Sequence, residues 1–180
     1  MKTRKLVMSI ALAGVVLLGL TTGAFAQTPT TTLDAATVQA MTDAINDEYH
    51  AYAFYNAVIA KFGAVAPFTN IARAEASHIK ALEALFVRYG LPVPADPYAG
   101  KIEAPATVQA ALQAGIDAEI ANVALYDKFN AVAQSDIQFV FQQLRDASQT
   151  KHLPAFQRAL GNNATSAPSW TQFFGRRWSR

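Results

Sequence analysis

No cysteine occurs in this 180-residue chain, so disulfide stapling, thiol catalysis and thiolate metal sites are excluded. Charge is sparse as well, at 16% of residues against 52% hydrophobic, a balance that excludes intrinsic disorder. Nine Gly and eight Pro are too few for a collagen-like repeat. The chain carries no glycine-rich phosphate loop and no Ser, His and acid arrangement at a strand-turn-helix, which removes the familiar nucleotide-binding and nucleophilic motifs. The formal charge is only +2, with three basic residues among the first five positions and three among the last five. The body between is mildly acidic, so nucleic acid is not an expected partner.

Long apolar runs are also missing, with one exception. Lys2, Arg4 and Lys5 precede an apolar stretch from Leu6 to Leu20, and Ala24-Phe25-Ala26 follows as a small-x-small cleavage site. This is the pattern of a secretory signal peptide over residues 1–26, and it predicts a periplasmic or secreted protein. No later run reaches the length of a membrane span, so no stable span is expected after cleavage. Residues 27–33 read as a flexible leader, 34–161 as one helical domain, and 162–180 as an aromatic and basic tail. For that tail, folding back over the domain, disorder and contact with anionic lipid all stay open.

What is present is helical period, almost throughout. Val38, Met41, Ile45, Glu48, Tyr52, Tyr55, Ile59 and Phe62 recur at steps of three and four, which places them on one helix face. Gly63 is the natural stop. A second stripe runs Phe68, Ile71, Glu75, His78, Leu82, Leu85 and Tyr89 between Pro67 and Gly90, and a third runs Val108, Leu112, Gly115, Glu119, Asn122, Tyr126 and Phe129. Ser135 with Gln138 predicts a capping box for a fourth helix carrying Ile137, Phe141, Leu144, Ser148, His152 and Phe156. Pro154 predicts a kink just past His152, or the end of the helix there. The fold class is therefore all-α, a four-helix bundle. The Pro-rich connection Leu91–Pro105 can span about 50 Å when extended, more than the length of a helix, so it favours a lengthwise crossover between helices 2 and 3.

The informative residues are polar ones on the apolar stripes: Glu48, then Glu75 and His78 one turn apart, then Glu119, then His152. No Lys or Arg shares the first three stripes, so three acids facing one core must be protonated, linked by water or bound to cations. Oxygen and imidazole donors from facing helices suit iron, manganese or zinc. Bundles that hold two such ions take a Glu from each of two helices and a Glu-x-x-His pair from each of the others, and Glu75-Ala76-Ser77-His78 supplies one full pair. A metal-free layer of hydrogen-bonded Glu and His is the competing arrangement. Level matching places Glu119 opposite His152, but it leaves Glu48 about 7 Å out of register with Glu75 and His78 at 1.5 Å rise per residue. Tyr52 and Tyr55 read as core that can also shield the site. His50 reads as surface, and Arg73, Lys80 and Arg88 as a solvated face.

Glu48-Tyr49-His50-Ala51-Tyr52-Ala53-Phe54-Tyr55 resembles the Glu-x-x-Ala-x-x-x-Tyr of the first ferritin, bacterioferritin and rubrerythrin helix, and Glu75-Ala76-Ser77-His78 with Leu82 resembles the second-helix metal motif of those proteins. More narrowly, three segments are similar to an exported ferritin-like family known as domain of unknown function 2202. They are Pro67-Phe68-Thr69-Asn70-Ile71-Ala72 leading into Glu75-Ala76-Ser77-His78, Arg88-Tyr89-Gly90-Leu91-Pro92, and His152-Leu153-Pro154-Ala155-Phe156. The resemblance implies a ferritin-like bundle with metal ligands Glu48, Glu75, His78, Glu119 and His152. The chain departs from the di-iron pattern three residues before His152, where Gln149 stands in place of a carboxylate. Asn122 and Asp146 are the neighbours expected to contribute indirectly. Two functions follow as expectations. One is an exported iron protein, with two ions or a single one, that performs oxidase or peroxidase chemistry; the other is a non-catalytic binding or structural module with a degenerate site. Nothing in the chain points to cage assembly.

Overall fold

The computed structural model describes residues 32–166, with side chains through Asn163. The signal peptide read over 1–26, most of the leader 27–33 and residues 167–180 of the tail lie outside the described residues. Among the described residues every regular element is helical: α1 (Ala35–Phe62), α2 (Phe68–Arg88), α3 (Val108–Asn130), α4 (Ser135–Ala147), a π-helical turn (Ser148–His152) and α5 (Leu153–Ser166). The last three follow one another without a break and act as one long fourth helix. None of the described helices is long and apolar enough to cross a membrane.

Local chemistry sets most of the ends. The Asp34 carboxylate accepts from the Thr37 N–H at 2.7 Å and the Thr107 hydroxyl from the Ala110 N–H at 3.1 Å, each satisfying a backbone donor that the first helical turn leaves open. Gly63 leaves α1 at φ +81°, a conformation that glycine adopts without strain. The capping box expected at Ser135 does not form. Gln134 occupies the cap position, so Ser135 is already helical, and Gln138 Nε2 instead donates to the Asn130 carbonyl at 2.8 Å across the α3–α4 turn.

Pro154 neither ends nor interrupts the fourth helix. The hydrogen-bond pattern widens just before it, with the Leu153 N–H reaching the carbonyl of Ser148, five residues back. The Thr150 hydroxyl donates to the Asp146 carbonyl at 2.6 Å within the same turn. Ser148, on the stripe read from the sequence, is buried alongside His152, while Gln149 is turned to the surface.

The expected misregister of Glu48 is also corrected. Level matching assumes a symmetric connection, but Phe68, the first residue of α2, packs its ring 5.9 Å from that of Tyr55, about two turns short of the end of α1. The segment from Gly63 to Pro67 therefore folds back along α1. That shift brings Glu48 level with Glu75 and His78.

The buried apolar residues fall into two clusters. One gathers Met41, Ile45, Leu82, Phe86, Tyr126, Phe129, Ile137 and Phe141; the other gathers Tyr55, Val58, Phe68, Ile71, Leu112, Ile116 and Phe156. Gly115 lets the second cluster close. A Cβ there would sit 2.8–2.9 Å from three ring carbons of Phe156, so α3 and α5 approach only because that side chain is missing. Between the two apolar clusters lies the polar layer.

Candidate metal centre

All five residues singled out by the sequence converge in that layer. Glu48, Glu75, Glu119 and His152 are buried to within a few per cent, and the His78 side chain is 12% exposed. Two groups of three form around one shared carboxylate: Glu48, Glu75 and His78, and Glu75, Glu119 and His152, with the ligating atoms of each group within 4.8 Å of one another. Glu75 Oε2 lies 2.7 Å from His78 Nδ1 and Glu75 Oε1 lies 3.2 Å from His152 Nδ1. Glu48 Oε2 approaches His78 Nδ1 at 3.3 Å, and Glu119 Oε2 approaches His152 Nδ1 at 3.4 Å. The two imidazoles stack with centroids 5.5 Å apart. The two halves are near-copies of each other about Glu75.

The copy extends to two tyrosines. Tyr126 on α3 donates to Glu48 Oε1 at 2.6 Å, and Tyr55 on α1 donates to Glu119 Oε1 at 2.7 Å. Each hydroxyl occupies the outer oxygen of a terminal carboxylate and leaves Oε2 turned toward the imidazoles. Tyr55 does more than pack, and Tyr126 was not singled out from the sequence at all. Its signal was the spacing: Glu48 to Tyr55 and Glu119 to Tyr126 are the same interval, a repeat that helical period alone conceals.

Burial works against charge here, and proximity restores it. Loss of solvent, together with the Glu75 charge, pushes the Glu48 carboxyl up to about 7. Burial pulls both imidazoles down, but the carboxylates beside them win: Glu48 and Glu75 raise His78 to about 10, and Glu119 and Glu75 raise His152 to about 9. Glu75 is held below the usual carboxylate range because the two imidazoles outweigh its burial. Without metal, protons supply the positive charge that the acids require.

Those protons do not satisfy the geometry. Glu75 Oε2 and His152 Nδ1 are buried with no hydrogen-bond partner, although both have oppositely charged neighbours at close range. Donor and acceptor approach without alignment, as ligand atoms do when they point at a common centre and not at each other. Three carboxylates and two imidazoles suit a divalent transition ion, so the residues fit the group the sequence implied. Among the described residues no Lys or Arg pairs with these acids.

The neighbours divide. Asn122 is buried and donates from Nδ2 to Asp47 Oδ2 at 2.8 Å. Asp146 is exposed and accepts from Gln142 and Arg145, so it takes no part in the layer. Gln149 accepts from Arg145 Nη1 at 2.6 Å at the surface, and the inward position of the π turn belongs to Ser148. His50 is exposed, with its ring edge-on to Tyr98. Arg73, Lys80 and Arg88 are exposed, as read from the sequence.

No protein-family model matches the chain, and no curated protein matches it either. Among solved structures it is similar to hypothetical protein MJ0754 from Methanococcus jannaschii, with a TM-score of 0.64 and 23% identity over 70% of this chain and 80% of that one. At that identity the likeness speaks for the helical fold alone.

Proposed function

We propose that this chain is an exported ferritin-like protein that holds one or two divalent metal ions, iron foremost, in its central polar layer and uses them in oxidase or peroxidase chemistry. The observation that carries the reading is the pair of overlapping ligand groups around Glu75, with Glu75 Oε2 and His152 Nδ1 buried and unpartnered. Glu75 would bridge, Glu48 with His78 would hold one ion, and Glu119 with His152 the other. A redox-active ion held by these residues would supply electrons to dioxygen or peroxide. The chain's own residues orient that chemistry: Tyr55 and Tyr126 fix the terminal carboxylates, and the apolar clusters on either side limit access of water.

The ferritin-like topology belongs to the same proposal, with helix 2 crossing lengthwise to helix 3. Its support is the order of contacts. Along α1, Glu48 meets His78 on α2 and Tyr126 on α3, while Tyr55 meets Phe68 and Glu119. Positions fall on both partners as they rise on α1, the order that codirectional α2 and α3 would give. Export rests on the signal-like residues 1–26.

A second reading has one specific observation in its favour. Ser148 and the outward Gln149 leave the layer with three carboxylates, one charge short of neutralising two divalent ions, so one tight ion without turnover is the degenerate form of this site. Elemental analysis of protein purified after export, and after anaerobic loading with ferrous iron, tests both. One or two ions per chain, lost in His78→Ala, are expected; ferrous oxidation by dioxygen or peroxide then separates the redox protein from the module. No bound metal under either condition would overturn the metal reading.

A further inference from the structure

The connection Leu91–Pro105 lies along α1 and is fastened to it at both ends. Tyr49 donates to the Pro94 carbonyl at 3.2 Å, the His50 ring meets Tyr98 edge-on, and Lys61 Nζ donates to the Ala104 and Pro105 carbonyls at 3.2 and 2.8 Å. From Tyr49 to Lys61 is about 18 Å of helix. Between these fastenings α1 and the connection leave a groove, made of one cavity of about 420 Å³ and another of about 460 Å³ that share Ala57, Ala60 and Ile102. Ala53 and Ala99 extend its apolar lining, and Tyr52, read as core from its stripe, lines it while 36% exposed. Its charge is acidic. Asp96 lines one cavity and Glu103 the other, and among the described residues neither has a Lys or Arg partner.

The chain carries a segment of matching chemistry. Residues 167–180, outside the described residues, hold Trp170, Phe173, Phe174 and Trp178 together with Arg176, Arg177 and Arg180. The fourth helix delivers them to the right end of the bundle, because Ala159 and Leu160 pack in one apolar cluster with Phe62, Val65, Ala104 and Val108, beside the cavity that Lys61 and Ala104 line. The 14 residues after Ser166 span about 46 Å when extended, enough to pass two helices about 10 Å wide and still run the groove. A short flexible tether holds such a segment at about millimolar effective concentration, so an intrinsic Kd of about 0.1 mM keeps it docked about nine-tenths of the time.

We propose that residues 167–180 dock in this groove, with their aromatic side chains against the alanines and their arginines toward Asp96 and Glu103, and clamp the connection onto α1. The groove is apolar where the tail is aromatic and acidic where the tail is basic. This inference stands apart from the metal reading.

Trp170 and Trp178 are the two tryptophans of the chain, so intrinsic fluorescence reports on the tail alone. In the purified protein, emission is expected to lie to the blue of its urea-unfolded value and acrylamide quenching to be several-fold weaker, at every protein concentration. Ala57→Glu sets a charge in the groove and keeps a good helix former, while Glu103→Lys turns the groove's charge against the arginines. Each is expected to raise quenching toward the unfolded value with helical content by circular dichroism unchanged, and Arg176→Glu with Arg177→Glu to restore part of the protection in Glu103→Lys. Ala124→Glu, at an exposed position of α3 outside the groove, is expected to leave quenching as in the parent. Should Ala57→Glu lose helical content, Glu103→Lys and its reversal decide the matter. Unfolded-like quenching in the parent would overturn the docking, and so would protection that both groove variants retain. Protection that grows with protein concentration would assign the tail to a second copy, and protection gained only on anionic lipid vesicles would assign it to a membrane surface; either outcome overturns the proposal.

Discussion

The tyrosine hydroxyls decide how the terminal carboxylates present themselves. A carboxylate has two oxygens, and in a dry layer each must be satisfied. Tyr126 takes Glu48 Oε1, so Oε2 is the oxygen that remains for His78 or for a metal. Burial pushes the Tyr126 hydroxyl far above the usual phenol range, as does the adjoining Glu48, so it stays a donor at any working pH. Tyr126→Phe keeps the ring and strands Glu48 Oε1. Leaving a buried acceptor unpaired costs about 1–3 kcal/mol, and loss of such an outer partner weakens metal affinity by about 10–100-fold. Urea unfolding of the metal-free variant and chelator competition on the loaded one measure the two effects. Parent-like values in both would mean that Tyr126 only fills space.

The elements hold that layer in place through a few close approaches, of which Gly115 against Phe156 is the sharpest. Gly115→Ala sets two effects in opposition. Alanine favours a helix interior by about 0.5–1 kcal/mol, while a methyl group 2.8–2.9 Å from a fully buried ring forces a displacement that costs about 1–3 kcal/mol. The ring is wedged between Tyr55 and Phe68, with centroids 5.4 and 5.2 Å away, so it has little room to yield and the clash prevails. The melting temperature is expected to fall by several degrees, and Phe156→Leu in the Gly115→Ala background to recover part of the loss. The same elements show what a sequence can and cannot display. Acids and imidazoles on apolar stripes are conspicuous, so Glu48, Glu75, His78, Glu119 and His152 were legible. Tyr126 was not, because a tyrosine satisfies an apolar stripe whether or not its hydroxyl has a task. The register of α1 against α2 depends on the path of five connecting residues, which no period records. The π turn was visible only as Pro154, and proline gives notice of a missing donor without stating how the helix accommodates it.

At the scale of the whole molecule, the bundle is two apolar clusters joined through a layer that must be supplied with positive charge. In the metal-free protein that charge is protons, and this fixes the direction of its pH dependence. The folded form raises Glu48 from 4.5 to about 7, His152 from 6.5 to about 9 and His78 from 6.5 to about 10. Groups raised on folding bind more protons in the native state than in the unfolded one, so the stability they contribute is full below the unfolded values and is lost as pH climbs through the folded ones. Between pH 7 and pH 10 the metal-free protein is therefore expected to lose stability progressively, as His152 and then His78 give up their protons beside the ionised acids. Divalent ions held by the proposed centre would replace those protons and favour the folded arrangement, so loading is expected to raise the melting temperature. Because ion binding then competes with fewer protons as pH rises, the gap between loaded and metal-free melting temperatures should widen from pH 7 to pH 10. Calorimetric scans of chelator-treated and cobalt-loaded protein across that interval measure the gap. A metal-free melting temperature that held level or rose toward pH 10 would show that protons do not hold the layer together.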